Sequence, residues 1–404
     1  MNAWIFIDHL IVSGARFGLS IVVARMLGVE DFGTYSLIWT LWAFASSLHV
    51  PVLVNPMMQL VPRVPKHRLP TLIWTIIYVQ LVYSVILIPL VCLATLIFVG
   101  FNDEIFILSI AINIYIFIFN AYEQLRRYLF VVSKEKTVIF LDSIAYFWIA
   151  LFMYFLVELD VFSISSFFIA SSIPVLLLIF SVITFFPKRQ NISKINFVYF
   201  KKILSIIKPL TISTLSVFVS GHMFIYMTAL FIGTAEVGGI TAVRNLTGPF
   251  LIFLLAMDNS ITRRSVLLSK ESTESLHQYM NSIRLVWVPV FIFLCLVMVI
   301  YAETLIVITY GTDFKEFYEL IYWMSIALIF MLLSRLQAVR LRAEGKFDVI
   351  KNSNIYSMII LSLSTPFLVY FFGMTGVGTC IVLISFSVLF FQNWLDQRSF
   401  FLWH

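Results

Sequence analysis

The sequence predicts an all-α integral membrane protein, with about twelve transmembrane helices in two six-helix lobes of a parallel repeat around a central cavity. Three observations predict it. Of the 404 residues, 61% are apolar and 12% charged, and the mean hydropathy is +0.99. Basic residues fall in every second gap between the apolar runs, and a glycine motif recurs 205 residues further along the chain.

A soluble domain is about a quarter charged, so this composition cannot build a water-facing surface. A spanning helix takes about 20 mainly apolar residues. The apolar runs lie near 5–27, 34–60, 71–99, 105–125, 137–157, 162–186, 209–232, 238–261, 282–302, 319–337, 349–371 and 376–392. Together they use the chain and leave nothing for a soluble domain. The first run has neither a basic lead nor a small-residue cleavage site, so it reads as a retained helix rather than a signal peptide. Cys92, Cys295 and Cys380 all sit inside apolar runs, far apart, and read as packing residues.

Cytoplasmic loops of membrane proteins are rich in Lys and Arg. Here 23 of the 27 basic residues fall on one side of the alternation, in groups such as Arg126, Arg127, Lys134 and Lys136, or Arg335, Arg340, Arg342, Lys346 and Lys351. The opposite gaps carry acids, among them Glu30, Asp31, Glu236, Glu303 and Glu316, with Lys315 as their one base. Both termini are therefore expected in the cytoplasm. The formal charge of +6 belongs to this asymmetry and does not call for a nucleic acid.

The repeat divides the chain. A shift of 205 lays Leu27-Gly28-Val29-Glu30-Asp31-Phe32-Gly33 over Ile232-Gly233-Thr234-Ala235-Glu236-Val237-Gly238, after the first and the seventh helix. A shift of 212 lays Ser133-Lys134 over Gly345-Lys346. Six helices per repeat preserve orientation, which makes the repeat parallel. The expected organisation is a lobe over 1–186, a basic cytoplasmic linker over 187–208 and a second lobe over 209–404.

The segment Ala24-Arg25-Met26-Leu27-Gly28-Val29-Glu30-Asp31-Phe32-Gly33-Thr34-Tyr35 resembles the start of the polysaccharide transporters, the O-antigen flippases called Wzx. Their pattern there is roughly Ala-Arg-x-Leu-Gly-x-x-x-Phe-Gly-x-Tyr. The loop Arg342-Ala343-Glu344-Gly345-Lys346 is similar to that family's loop after helix 10. The resemblance implies a fold of the multidrug/oligosaccharidyl-lipid/polysaccharide exporter type. It implies a transporter rather than an enzyme, moving a polyprenyl-pyrophosphate-linked O-antigen or capsule unit between leaflets of the bacterial inner membrane by alternating access. A proton or sodium gradient would drive it, membrane lipids would surround it, and a polysaccharide polymerase and chain-length machinery would be its partners.

A charge inside the hydrocarbon costs about 2.5–3.5 kcal/mol on insertion scales and turns inward to a cavity or a partner. Arg16, between Gly14 and Gly18 near the middle of the first helix, is the leading candidate to meet an anionic substrate; the other reading is an ion pair with Asp8. Arg25 and Arg244 lie close enough to helix ends to reach the head groups, and each reads either that way or as a cavity residue. His222, beside Gly221, is a proton-responsive group or a hydrogen-bonded structural histidine. Asn55-Pro56 interrupts the second helix, as a kink or as a source of cavity-lining carbonyls. Asp142 and Asp258 are either salt-bridged to nearby bases or ion-coupling groups. No metal-ligand spacing appears among the six histidines, and no phosphate-cradling or nucleophile motif is present, which disfavours an ATP-driven pump. A membrane glycosyltransferase is the expected alternative from another class, and it ordinarily needs a large outer loop where residues 303–318 offer a short acidic one. A drug antiporter of the same fold is the third.

Overall fold

The computed structural model describes residues 3–99, 103–182 and 197–401, and among them regular structure is entirely helical. The helices are α1 (Ala3–His49), α2 (Asn55–Leu60), α3 (Leu69–Val99), α4 (Asp103–Val131), α5 (Glu135–Glu158), α6 (Ile164–Val182), α7 (Phe197–Phe231), α8 (Thr234–Leu246), α9 (Gly248–Glu271), α10 (Thr273–Ile300), α11 (Ala302–Tyr310), α12 (Leu320–Ala343) and α13 (Phe347–Phe401). Backbone groups in hydrocarbon must be satisfied inside their own segment, and a helix does this.

Nine described segments are long and apolar enough to cross a membrane, ten if α8 and the start of α9, bent by 44°, count as one. At 1.5 Å per residue, α1 and α13 would measure about 70 and 80 Å, more than twice the roughly 30 Å hydrocarbon thickness. Each is broken at a glycine, Gly28 in α1 (φ 76°, ψ −179°) and Gly373 in α13 (φ 54°, ψ −133°). Each is therefore long enough for two crossings, which with the bent pair makes twelve candidate crossings among the described residues. Val85, Ile86, Leu285, Ile300 and Leu363 stand exposed, an apolar surface suited to lipid. The chain is a multi-pass membrane protein.

Several boundaries moved. The expected linker falls partly on residues 183–196, which lie outside the described residues, while residues 197–208 are already the first turns of α7. The segment near 303–318, read from the sequence as a short outer loop, holds α11 and a 3-10 stretch, Thr312–Glu319. Helix α4 runs to Val131, so Arg126 and Arg127, read from the sequence as loop bases, are helical. Ahead of Asn55-Pro56 the chain forms a π-helical turn, Val50–Val54, closed by the Asn55 N–H donating to the Val50 carbonyl. Such a turn is an ordinary cause of a helix bend.

The chain clusters into two units, one of residues 1–27 and 35–215, the other of residues 28–34 and 216–404. In the first, α4 packs against α3, α5 and α6, with Phe168 and Tyr115 buried at its centre. In the second, α12 is the central helix against α9, α10 and α13, burying Leu332, Leu336 and Leu341 completely. Phe32 belongs to this second unit and packs on Tyr310 and Phe314, with ring centroids 6.1 and 5.7 Å away.

The repeat is visible in hydrogen bonds as well as letters. After α4 the Lys134 N–H donates to the Leu129 carbonyl and the Ser133 N–H to that of Phe130. After α12 the Lys346 N–H donates to Leu341 and the Gly345 N–H to Arg342, at the same 2.9 and 3.1 Å. Every member of one turn is 212 residues from its counterpart. Both turns place one residue at positive φ, Ser133 (59°) and Gly345 (76°), the left-handed helix cap that favours glycine.

A half-buried arginine in an aromatic pocket

Helical spacing builds the site within the first unit. On α1 the sequence Tyr35, Trp39, Trp42 steps by four and three, as do Tyr115, Phe119, Tyr122 on α4 and Asp142, Tyr146, Ile149 on α5; each set therefore shares one helix face. Rings from these faces meet: Tyr115 lies 4.1 Å from Phe119 and 5.0 Å from Phe168, Trp39 4.7 Å from Trp42, and Tyr35 5.8 Å from Phe168. Arg16 enters this wall. Its Nε donates to the Tyr146 hydroxyl at 2.8 Å, and its guanidinium carbon lies 5.1 Å over the Trp42 ring.

No carboxylate lies within 4 Å of Arg16 among the described residues, and Asp8 is not its partner. Eight residues along a helix is about 12 Å, whereas α4 brings Arg126 to 2.7 Å from Asp8. One hydrogen bond is worth about 1 kcal/mol net and one cation–π contact about 0.5–2 kcal/mol. Neither balances the charge. Arg16 lines a small cavity between α1, α4, α5 and α6, together with Tyr35, Trp39, Tyr115, Tyr146 and Ser171.

Asp142 is in a separate buried cluster. It accepts from the Tyr122 hydroxyl at 2.6 Å and lies 2.8 Å from Arg126, which also holds Asp8 and, at 2.5 Å, Glu123; Arg127 holds Glu123 from the other side at 2.7 Å. Asp8 and Asp142 are each 1% exposed. Two fully buried carboxylates thus share one guanidinium. Tyr146 sits one turn beyond Asp142 on α5, so the cluster and the Arg16 pocket adjoin.

The remaining candidates are scattered. Arg25 is exposed on α1, and Asn55 is half-buried at the start of α2. In the second unit, His222 lies parallel to the Phe218 ring (4.2 Å, 7°), with Nδ1 3.2 Å from the Phe218 carbonyl. Arg244 lies half-buried at the end of α8, over the Phe224 ring at 5.7 Å. Asp258 is held by Arg342 at 2.5 Å and Arg335 at 3.7 Å. The bases of the α12–α13 turn are also paired, Arg340 and Lys346 both with Asp396 and Glu344.

The sequence reading did not single out Arg126, Tyr146, Trp42 or Ser171. Arg126 sat among bases assigned to a loop, and the others are unremarkable letters inside apolar runs. Their spacing of three and four on α1, α4, α5 and α6 was the available signal.

Neither a family model nor a curated protein sequence matches the chain. Solved structures do, over nearly its whole length. A multidrug resistance MATE family transporter of the MOP superfamily, inward-facing, superposes with a TM-score of 0.69 at 13% identity, covering 98% of this chain and 93% of that one. The lipid II flippase MurJ in an inward closed conformation gives 0.67 at 12% identity, covering 96% and 87%. A MOP superfamily transporter from Pyrococcus furiosus gives 0.59 at 14% identity, covering 98% and 91%. At such identities the likeness establishes the fold, which is that of MOP-superfamily transporters. MATE transporters and MurJ are its structural neighbours.

Proposed function

We propose that this protein is a flippase for a polyprenyl-pyrophosphate-linked oligosaccharide, an O-antigen or capsule repeat unit, in the bacterial inner membrane. It would work by alternating access with both termini in the cytoplasm. The observation that carries this reading is Arg16, a guanidinium in an apolar helix that has no carboxylate within 4 Å among the described residues and lines a cavity walled by aromatic rings. A donor-only cation held there complements an anionic cargo, and the guanidinium fork suits phosphate or carboxylate oxygens. The fold supports the reading because a lipid-linked flippase shares it.

A drug antiporter shares the fold equally well, and this second reading is kept for that reason. Arg16 opposes it for cationic drugs, which it would repel. For coupling to a proton or sodium gradient we favour Asp142 over Asp258, because Asp142 and Asp8 are fully buried around a single Arg126, whereas Asp258 has two arginines of its own. A polymerase and its chain-length partner would take the product on the outer side.

The test is a strain lacking the gene. Lipid-linked repeat units are expected to accumulate on the cytoplasmic leaflet, and surface polysaccharide to fall. Normal surface polysaccharide with altered drug resistance would favour the antiporter instead.

A further inference from the structure

The second unit holds an arginine of its own at the edge of the hydrocarbon. The exposed residues of α10 are polar as far as Ser282, among them His277, Gln278 and Asn281, and apolar from Leu285 and Val286 to Ile300. A helix changes in this way where it passes from the head groups into the hydrocarbon. Arg284 stands at that boundary. An arginine that only snorkels extends along its own helix into water, whereas Arg284 is half-buried and tied across to α12, its Nη2 donating to the Gln337 Oε1 at 3.1 Å.

The three arginines of α12 all have acids: Arg335 and Arg342 are held by Asp258, and Arg340 by Asp396 and Glu344. Arg284 has no carboxylate within 4 Å among the described residues. The charge that acts on it is a like one, that of Arg340, one turn beyond Gln337 on α12. A cation fixed at this depth beside a second cation is unfavourable alone and complements an anion. The anions found at that depth are lipid phosphates, and basic pockets between membrane helices on the cytoplasmic side take them.

We propose that Arg284, held by Gln337 at the seam of α10 and α12, binds the phosphate of one anionic phospholipid of the phosphatidylglycerol type. The lipid belongs to the leaflet at the basic end of the unit, the cytoplasmic one by the charge rule, and its chains lie along the apolar face that begins at Leu285 and Val286. A zwitterionic lipid fits less well, because its ammonium would bring a third positive charge to Arg284 and Arg340. The site needs no transported molecule and stands or falls apart from the flippase reading.

The test uses the purified full-length protein, stripped of lipid in dodecyl maltoside, and three probes, phosphatidylglycerol, phosphatidylcholine and inorganic phosphate. Native mass spectrometry counts bound lipid, and the melting temperature reads its effect. Phosphatidylglycerol is expected to bind about fivefold or more tightly than phosphatidylcholine, the worth of one cation at a membrane surface. Arg284→Gln should bring the two lipids level, and Arg284→Lys should keep most of the preference. Lys351→Gln, at an exposed base paired with Asp348, should leave it unchanged. In detergent alone Arg284→Gln should melt no lower than wild type, since it strands no acid and relieves the repulsion from Arg340; it should lose only the rise that phosphatidylglycerol gives. Equal binding of the two lipids by the wild type, or an equal loss of preference in Lys351→Gln, would overturn the proposal. So would an Arg284→Gln protein that melts lower by the same amount with and without lipid, which is the mark of a purely structural arginine. Displacement of phosphatidylglycerol by excess inorganic phosphate would overturn it too, by making the site one for a soluble anion.

Discussion

Gly33 and Gly238 pack backbone against backbone, and the contact is reciprocal. A Cβ on Gly33 would overlap the Thr234 carbonyl oxygen, and a Cβ on Gly238 would overlap that of Val29. Val29 and Thr234 are separated by the same 205 residues as the two glycines. The motif that marks the repeat in the sequence is thus also the place where its two copies touch, within one compact unit. Alanine at either glycine forces the backbones apart, at a cost of about 1–3 kcal/mol by analogy with overpacked cores. Gly33→Ala and Gly238→Ala should each lower the melting temperature, and the double variant should cost less than the two single effects added, because both disturb one contact. Strict additivity would count against the shared contact.

Arg126 should be the least replaceable base of the first unit. Removing it leaves Asp8 and Asp142, both fully buried, without their shared cation, and breaking a buried pair in this way costs about 3–5 kcal/mol. Arg126→Ala should unfold early or fail to accumulate. Adding Asp8→Asn in the same chain should recover part of the loss, since it removes one of the stranded charges. Thermal unfolding of the detergent-solubilised variants reads this directly, and no recovery would mean that the arginine acts by packing instead.

The turn after α4 offers a stabilising change. Ser133 has φ 59° where its counterpart Gly345 has 76°, and a side chain in the left-handed region costs about 1–2 kcal/mol. The Ser133 hydroxyl is exposed. Ser133→Gly should therefore raise the melting temperature, by less than that strain because glycine also gains freedom in the unfolded chain. Gly345→Ser should lower it.

How far the sequence could be read follows from what each residue's neighbours are. The crossings and the repeat were legible because apolar length, loop charge and a short glycine motif are properties of contiguous residues; even the two glycine breaks in α1 and α13 fall where one run ends and another begins. Arg16 was legible because a charge in an apolar run is costly wherever it lies. Its surroundings were not, since Tyr146 lies 130 residues away and Ser171 is one hydroxyl among many in apolar helices. Asp8 could be placed only against bases on its own helix, while its actual partner lies 118 residues on. Helix faces decide such pairings, and they follow from packing between elements rather than from any one run.

Arg16 itself separates charge from shape. Arg16→Ala deletes the cation, and with it the Tyr146 hydrogen bond and the contact over Trp42. Arg16→Lys keeps the charge but replaces a planar fork by a single ammonium, which can neither lie flat on an indole nor give one N–H to Tyr146 while presenting two others. Export by a complemented deletion strain at matched expression should thus fall steeply with alanine and partly with lysine. Trp42→Leu should resemble the lysine variant, because it removes the surface that aims the guanidinium and leaves the charge in place. If lysine and alanine were equally impaired, fork geometry rather than charge would be what the site requires; if alanine exported as wild type, Arg16 would have no part in transport.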